Sequence, residues 1–178
     1  MSETELSIGR HCGITFAGLK PASLVCLHKN DRVTITRLAR CFRRKGFSFA
    51  VLRNAGERKT LCIYHNEKLR QVLFSDEIRA FLKECGYRYN SVQEAICELR
   101  SRMEGDFPHE IGVFLGYPLH DVRGFIENPH GGKFSGCWKV YSDEAAAEKT
   151  FERFRRCSAC ICRLMQNGKT LTQIFRVG

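Results

Sequence analysis

No stretch of this sequence approaches the ~18 uninterrupted apolar residues that a membrane span requires. The opening residues, MSETELSIGRHCG, are polar and carry no apolar signal core, so a cytoplasmic protein without membrane partners is expected. Internal repeats and low-complexity linkers are also missing, which argues for one domain over residues 1–178. The first half of the chain lacks acidic residues relative to basic ones. Residues 1–89 hold 17 Lys and Arg against 8 Asp and Glu, whereas residues 90–178 hold 12 against 11. A basic surface concentrated in one half is compatible with an anionic partner, most commonly nucleic acid.

What is present is ordinary for a folded chain: 43% hydrophobic and 27% charged residues, in a length that buries a core without metal or disulfide staples. The ten cysteines are therefore expected as reduced thiols in a reducing compartment. Cys26, Cys41, Cys62, Cys85 and Cys97 fall on apolar faces or in apolar runs and are expected in the core.

The patterning alternates between strand and helix periods. GITFAGLK, after His11-Cys12, predicts a short helix ended near Pro21; SLVCLHK predicts a strand stopping at Asn30-Asp31. In RVTITRLARCFRRKG, Ile35, Leu38, Ala39 and Phe42 form one helical stripe, with Arg37, Arg40 and Arg44 on the other side and Gly46 as the stop. FSFAVLRN and KTLCIYH predict a hairpin around NAGER. From Asn66 to about Asn128 only helices are expected, then a strand at SGCWKVY and a helix opened by the Ser142 cap. The order predicts an α+β fold: a ferredoxin-like βαββαβ sheet with a large helical insertion, about 66–128, before the last strand.

HEIGVFLGYPLHDVRGFIENP, from His109 to Pro129, opens with a His-Glu pair. A zinc-protease site needs a second His three residues beyond the Glu, and Val113 stands there. With Asp106 as cap and Pro108 near the first helical position, His109 and Glu110 are expected in a first turn, where a carboxylate is favoured. Ile111, Phe114 and Leu115 then form one stripe, and Leu119, Val122, Phe125 and Ile126 the next. The spacing resembles a helix-turn-helix, with Val122 and Ile126 locking the second helix to the first. A plain helical corner explains the same apolar positions, and the face of the second helix offers Arg123 as its one firm cation, beside Asp121 and Glu127.

Two further features bear on nucleic acid. KGFSFAVL resembles the aromatic strand of RNA-recognition motifs, where Phe47 and Phe49 would stack bases. Ala50 and Leu52 depart from that pattern, and burial under the helical insertion is the competing expectation. The Arg37, Arg40 and Arg44 face, flanked by Arg43 and Lys45, suits phosphates and needs only the helix itself; a merely solvated face is its alternative.

The thiol reading rests on CSACIC. Cys157 and Cys160 share a helical face, Cys162 points away, and Arg153, Arg155 and Arg156 would lower a neighbouring thiol's pKa. No second close pair completes a four-ligand zinc site. Cys12, at a helix start, with His109 and Asn128 would make a Cys-His-Asn set if folding joined them.

HCGITFAGLKPASL, FPHEIGVFLGYPLHDVRGFIEN and GCWKVYSDEAAAEKTFERFRRC resemble segments of a bacterial family of unknown function, numbered 3793, over nearly the whole chain. The resemblance assigns no site residue, and the cofactor, if any, stays unknown. The residues thus predict a non-catalytic binding protein for nucleic acid or another polyanion, through Arg37, Arg40, Arg43, Arg44 and Arg123. The alternatives are a redox or metal-binding thiol protein using Cys12, His109, Cys157 and Cys160, and a scaffold for a protein partner.

Overall fold

A three-stranded antiparallel sheet separates two apolar layers. The computed structural model describes residues 1–28 and 31–177. Helix α1 (Glu3–Phe16) leads to strand β1 (Ala22–His28); α2 (Arg32–Arg43) leads to the hairpin of β2 (Phe47–Ala55) and β3 (Arg58–His65). The sheet order is β1-β3-β2. Strand β3 is central and reads as an unbroken apolar run, Leu61-Cys62-Ile63-Tyr64, because both of its faces are covered.

Register sorts the faces. Val25 and Val51 both pair with Leu61, and Leu24 and Ala50 both pair with Cys62. Since side chains alternate, the first set joins Leu27, Phe47 and Ile63 in a core with Phe16, Leu38 and Phe42, while the second faces the helical block. That block comprises α3 (Asn66–Leu73), α4 (Asp76–Glu84), α5 (Val92–Arg102), α6 (Ile111–Phe114) and α7 (Leu119–Glu127). It is followed by β4 (Phe134–Ser135), β5 (Lys139–Val140), α8 (Glu144–Gln166) and α9 (Leu171–Ile174). Among the described residues, no helix is long and apolar enough to cross a membrane.

Several expectations are corrected. Helix α1 begins at Glu3, well before His11, with the Ser2 hydroxyl accepting from the Glu5 amide as its cap. Its glycines disguise it: a Cβ at Gly13 would come within 2.8 Å of Ile161, and one at Gly9 would overlap Met165. The two positions, one turn apart, let α8 lie close against α1. Buried Glu5 ties three elements, accepting from Arg37 of α2 and from the Leu171 amide of α9.

The expected fourth strand does not enter the sheet. Among the described residues β4 and β5 pair only with each other, around a tight turn in which the Gly136 amide donates to the Trp138 carbonyl. Mixed helix and strand with a small antiparallel sheet is therefore the architecture, and the ferredoxin-like arrangement lacks its last strand. Phe47 and Phe49 face α1 and α2, not the insertion. Phe47 is 5% exposed and meets Phe16 edge-on at 5.2 Å, which leaves no face for a base. Cys62 is buried, but Cys26 and Cys97 are exposed. Cys26 lies opposite Val25 and Leu27, near the end of β1, and Cys97 falls beside the Val92, Ala95, Ile96 and Leu99 stripe of α5. The predicted strand stop at Asn30 lies outside the described residues.

Candidate functional site

The helical corner, the loop between α1 and β1, and the β4-β5 ribbon meet around one cleft. Gly116 ends α6 with φ +78°, and a Cβ there would lie 2.6 Å from the Pro21 ring. The bare glycine thus lets the corner press on Pro21 and fixes Lys20 beside it. From α7, buried Asp121 reaches the ribbon: one carboxylate oxygen accepts from the Trp138 indole N–H at 2.7 Å, the other from the Tyr141 amide at 2.8 Å. The indole stacks on Tyr117 with ring centroids 5.1 Å apart. The cleft so formed holds about 580 Å³. Lys20, Ser23 and Leu24 line it from the sheet side and Tyr117, Val122 and Trp138 from the corner and ribbon; exposed His11, Phe107 and His109 also line it.

Lys20 is the chemically distinctive group. Only 9% exposed, it carries its ammonium 5.1 Å above the Tyr117 ring. Among the described residues no carboxylate lies within ion-pair distance of it. Burial lowers its pKa, opposed in part by the thiols of Cys137, Cys12 and Cys62. Asp121, also on the cleft, has both oxygens engaged with Trp138 and Tyr141. A lysine set in a mostly apolar cleft, with no carboxylate within ion-pair distance among the described residues, has the chemistry to receive a group that brings negative charge, or to act as an amine with reduced need of its proton.

The His109-Glu110 pair divides. Both residues precede α6, which begins only at Ile111, and the turn closes by short-range bonds from the Ile111, Gly112 and Val113 amides; Asp106 does not start that helix. Glu110 turns inward to accept from the Tyr87 hydroxyl at 3.1 Å, near Arg102. His109 packs edge-on against Phe125 at 5.0 Å and lines the cleft. Cys12 is fully buried in the layer beneath the sheet, and burial pushes its thiol up, opposite to the expectation for a nucleophile. Its neighbour His11, not Cys12, shares the cleft with His109. Asn128 accepts from the Gly131 amide, serving the turn after α7.

Cys157 and Cys160 do share one side of α8, half-buried and exposed respectively, yet the Cys157 thiol is pushed up by burial and by Cys160. Arg155 and Arg156 are held by Glu152 instead of by a thiolate. Among the described residues no cluster of three His, Cys, Asp or Glu side chains is placed to hold a metal.

Of the five arginines, Arg40 and Arg43 are exposed on α2 and Arg44 at its C-terminal cap, and Arg37 pairs with Glu5 while remaining half-exposed. Lys45 donates to the Phe175 carbonyl. Arg123 is engaged on the protein itself, 2.9 Å from Glu84 and over the Phe81 ring. The second helix of the corner is not a free reading head: Gly124 packs against Tyr141, and Ile126, expected to lock the helices together, is 41% exposed. Lys20 itself carried no sequence signal, being one lysine before a proline in a loop. Its burial depends on Pro21 meeting Gly116, some ninety-five residues away.

The model of a family of proteins of unknown function, DUF3793, matches residues 8–175, and the chain belongs to that family. Comparison with curated proteins and with solved structures gives no match.

Proposed function

We propose that this DUF3793 chain binds a small organic anion with an aromatic or otherwise apolar body in the cleft around Lys20. One observation carries the reading: a largely buried lysine with no carboxylate within ion-pair distance among the described residues lines a cleft whose other walls are largely apolar. Such a site gives orientation through the charge and affinity through the apolar walls. Tyr117 and Trp138 supply flat surfaces, and Lys20 supplies the charge. Trp138 is the only tryptophan of the chain, so its fluorescence reports on the cleft directly. Titration with aromatic carboxylates such as phenylacetate should perturb that emission saturably, and Lys20→Met should weaken binding at least tenfold, about 1.4 kcal/mol. An unchanged affinity in the variant would remove Lys20 from the site.

A second reading concerns a different surface. Helix α2 and its C-cap present Arg40, Arg43 and Arg44 to solvent, and the helix contains no carboxylate between Arg32 and Arg43, which favours a polyanion such as nucleic acid along that side. Its signature would be affinity falling steeply with salt and falling further when the three arginines become alanine. Arg123→Ala, which breaks an internal ion pair, should leave that slope unchanged.

A further inference from the structure

We propose that Lys20 is an amine nucleophile that condenses with the carbonyl carbon of a small 2-oxo acid held in the cleft. The inference rests on the anion-binding reading of the same cleft and names its ligand class. A lysine paired with a carboxylate is held protonated; Lys20 has no such partner among the described residues, and its tip meets an aromatic ring. Burial further favours its uncharged form.

Charge selects the class of carbonyl compound. The nitrogen lone pair forms the new C–N bond as the carbonyl π pair moves onto oxygen. That oxygen takes one proton from the amine and one from solvent and leaves as water, while the nitrogen keeps its remaining proton as an iminium. Nothing is oxidised or reduced. The iminium is a cation in the same largely buried place, and among the described residues no carboxylate lies within ion-pair distance of Lys20 to compensate it. A neutral aldehyde would leave that charge unbalanced. A 2-oxo acid brings a carboxylate on the adjoining carbon and balances it. Tyr117, Trp138 and Phe125 line the rest of the cleft, which favours an apolar or aromatic substituent. His11 and His109, on the same cleft, are groups able to carry protons while water is lost.

The test uses the full chain with pyruvate or phenylpyruvate in the presence of cyanoborohydride, which reduces an imine to a stable amine, followed by peptide mass mapping. Phenyllactate, which has no carbonyl, serves as the control. The expected result is a single adduct on Lys20, formed at least tenfold faster than on exposed Lys68 or Lys149, larger with phenylpyruvate and suppressed by excess phenyllactate. Lys20→Arg should abolish it, though the mapping of the unaltered chain decides the matter without that variant. Adducts spread over exposed lysines, or none, while phenyllactate still perturbs Trp138 emission, would overturn the imine and leave the anion cleft standing. No adduct and no response of Trp138 to either ligand would remove both.

Discussion

Asp121 holds the indole N–H of Trp138 at 2.7 Å, and this bond places the last β segment. The same carboxylate accepts from the Tyr141 amide, so residues 138–141 are drawn onto α7 and away from the sheet that their strand-like pattern predicted. An alternating run such as SGCWKVY states only that one face is buried; it does not state which surface buries it. Here Trp138 finds Tyr117 and Phe151, and Val140 is fully buried with Ala147 and Phe151 of α8.

Asp121→Ala should therefore destabilise the protein by about 3 kcal/mol, since two donors lose a charged acceptor at once. The loss should be local before it is global. Trp138 emission should shift to the red and ligand response should vanish under conditions where far-UV circular dichroism is unchanged. An unshifted Trp138 in the folded variant would mean that the ribbon is held by packing alone.

Lys20→Met carries a prediction of unusual sign, a gain in stability at neutral pH together with lost binding. Burial lowers the folded-state pKa of Lys20 from its ordinary 10.5, so the folded chain loses this proton more readily than the unfolded chain does. The penalty for holding the charge is complete below the folded pKa. It shrinks as pH rises from there toward about 10.5, because in that window the unfolded state binds more protons. Urea denaturation at pH 7 and at pH 10 should show the variant's advantage larger at the lower pH. Equal or reduced stability at pH 7 would mean that contact with Tyr117 outweighs the desolvation of the ammonium.

The buried thiols act in the opposite direction at alkaline pH. Burial pushes Cys62 up to about 12 and raises Cys12 as well. Above the ordinary thiol value of ~8.5 the unfolded chain ionises first, so stability falls by as much as ~1.4 kcal/mol per pH unit for each thiol until the folded values are reached. The two should resist a thiol reagent in the native state, while Cys26, Cys97 and Cys160, all exposed, react at once. Rapid labelling of Cys12 would contradict its position in the core.

Much of the fold was legible because it is written in local periods. The α2 stripe and the β2-β3 hairpin are each set by residues three or four apart, or by alternation, whereas α8 is capped one residue later than expected, by Asp143 and not Ser142, its carboxylate accepting from the Ala146 amide. The opening half of α1 was hidden by glycines whose purpose is close contact with α8, a long-range fact that looks locally like a poor helix former. The cleft divides in the same way. His109 was visible as a residue of interest, but its Glu110 neighbour belongs to Tyr87 and Arg102. Lys20 and His11 became partners of the corner only through tertiary packing.

That packing depends on Gly116, and a pair of alanine substitutions isolates it. Gly56 and Gly116 both have positive φ, +52° and +78°, so alanine costs each about 1 kcal/mol of backbone strain. Around Gly56 nothing among the described residues lies within 4 Å of the added carbon, whereas at Gly116 it would sit 2.6 Å from the Pro21 ring. Relieving that overlap moves the Pro21 loop or the corner, adding about 1–3 kcal/mol. Gly56→Ala should thus show a modest loss of stability and full ligand response. Gly116→Ala should show the larger loss and, because Lys20 adjoins Pro21, binding weakened well beyond what its stability explains. Equal binding by the two variants would show that the corner does not position Lys20, and the cleft would then lose its claim to be a built site.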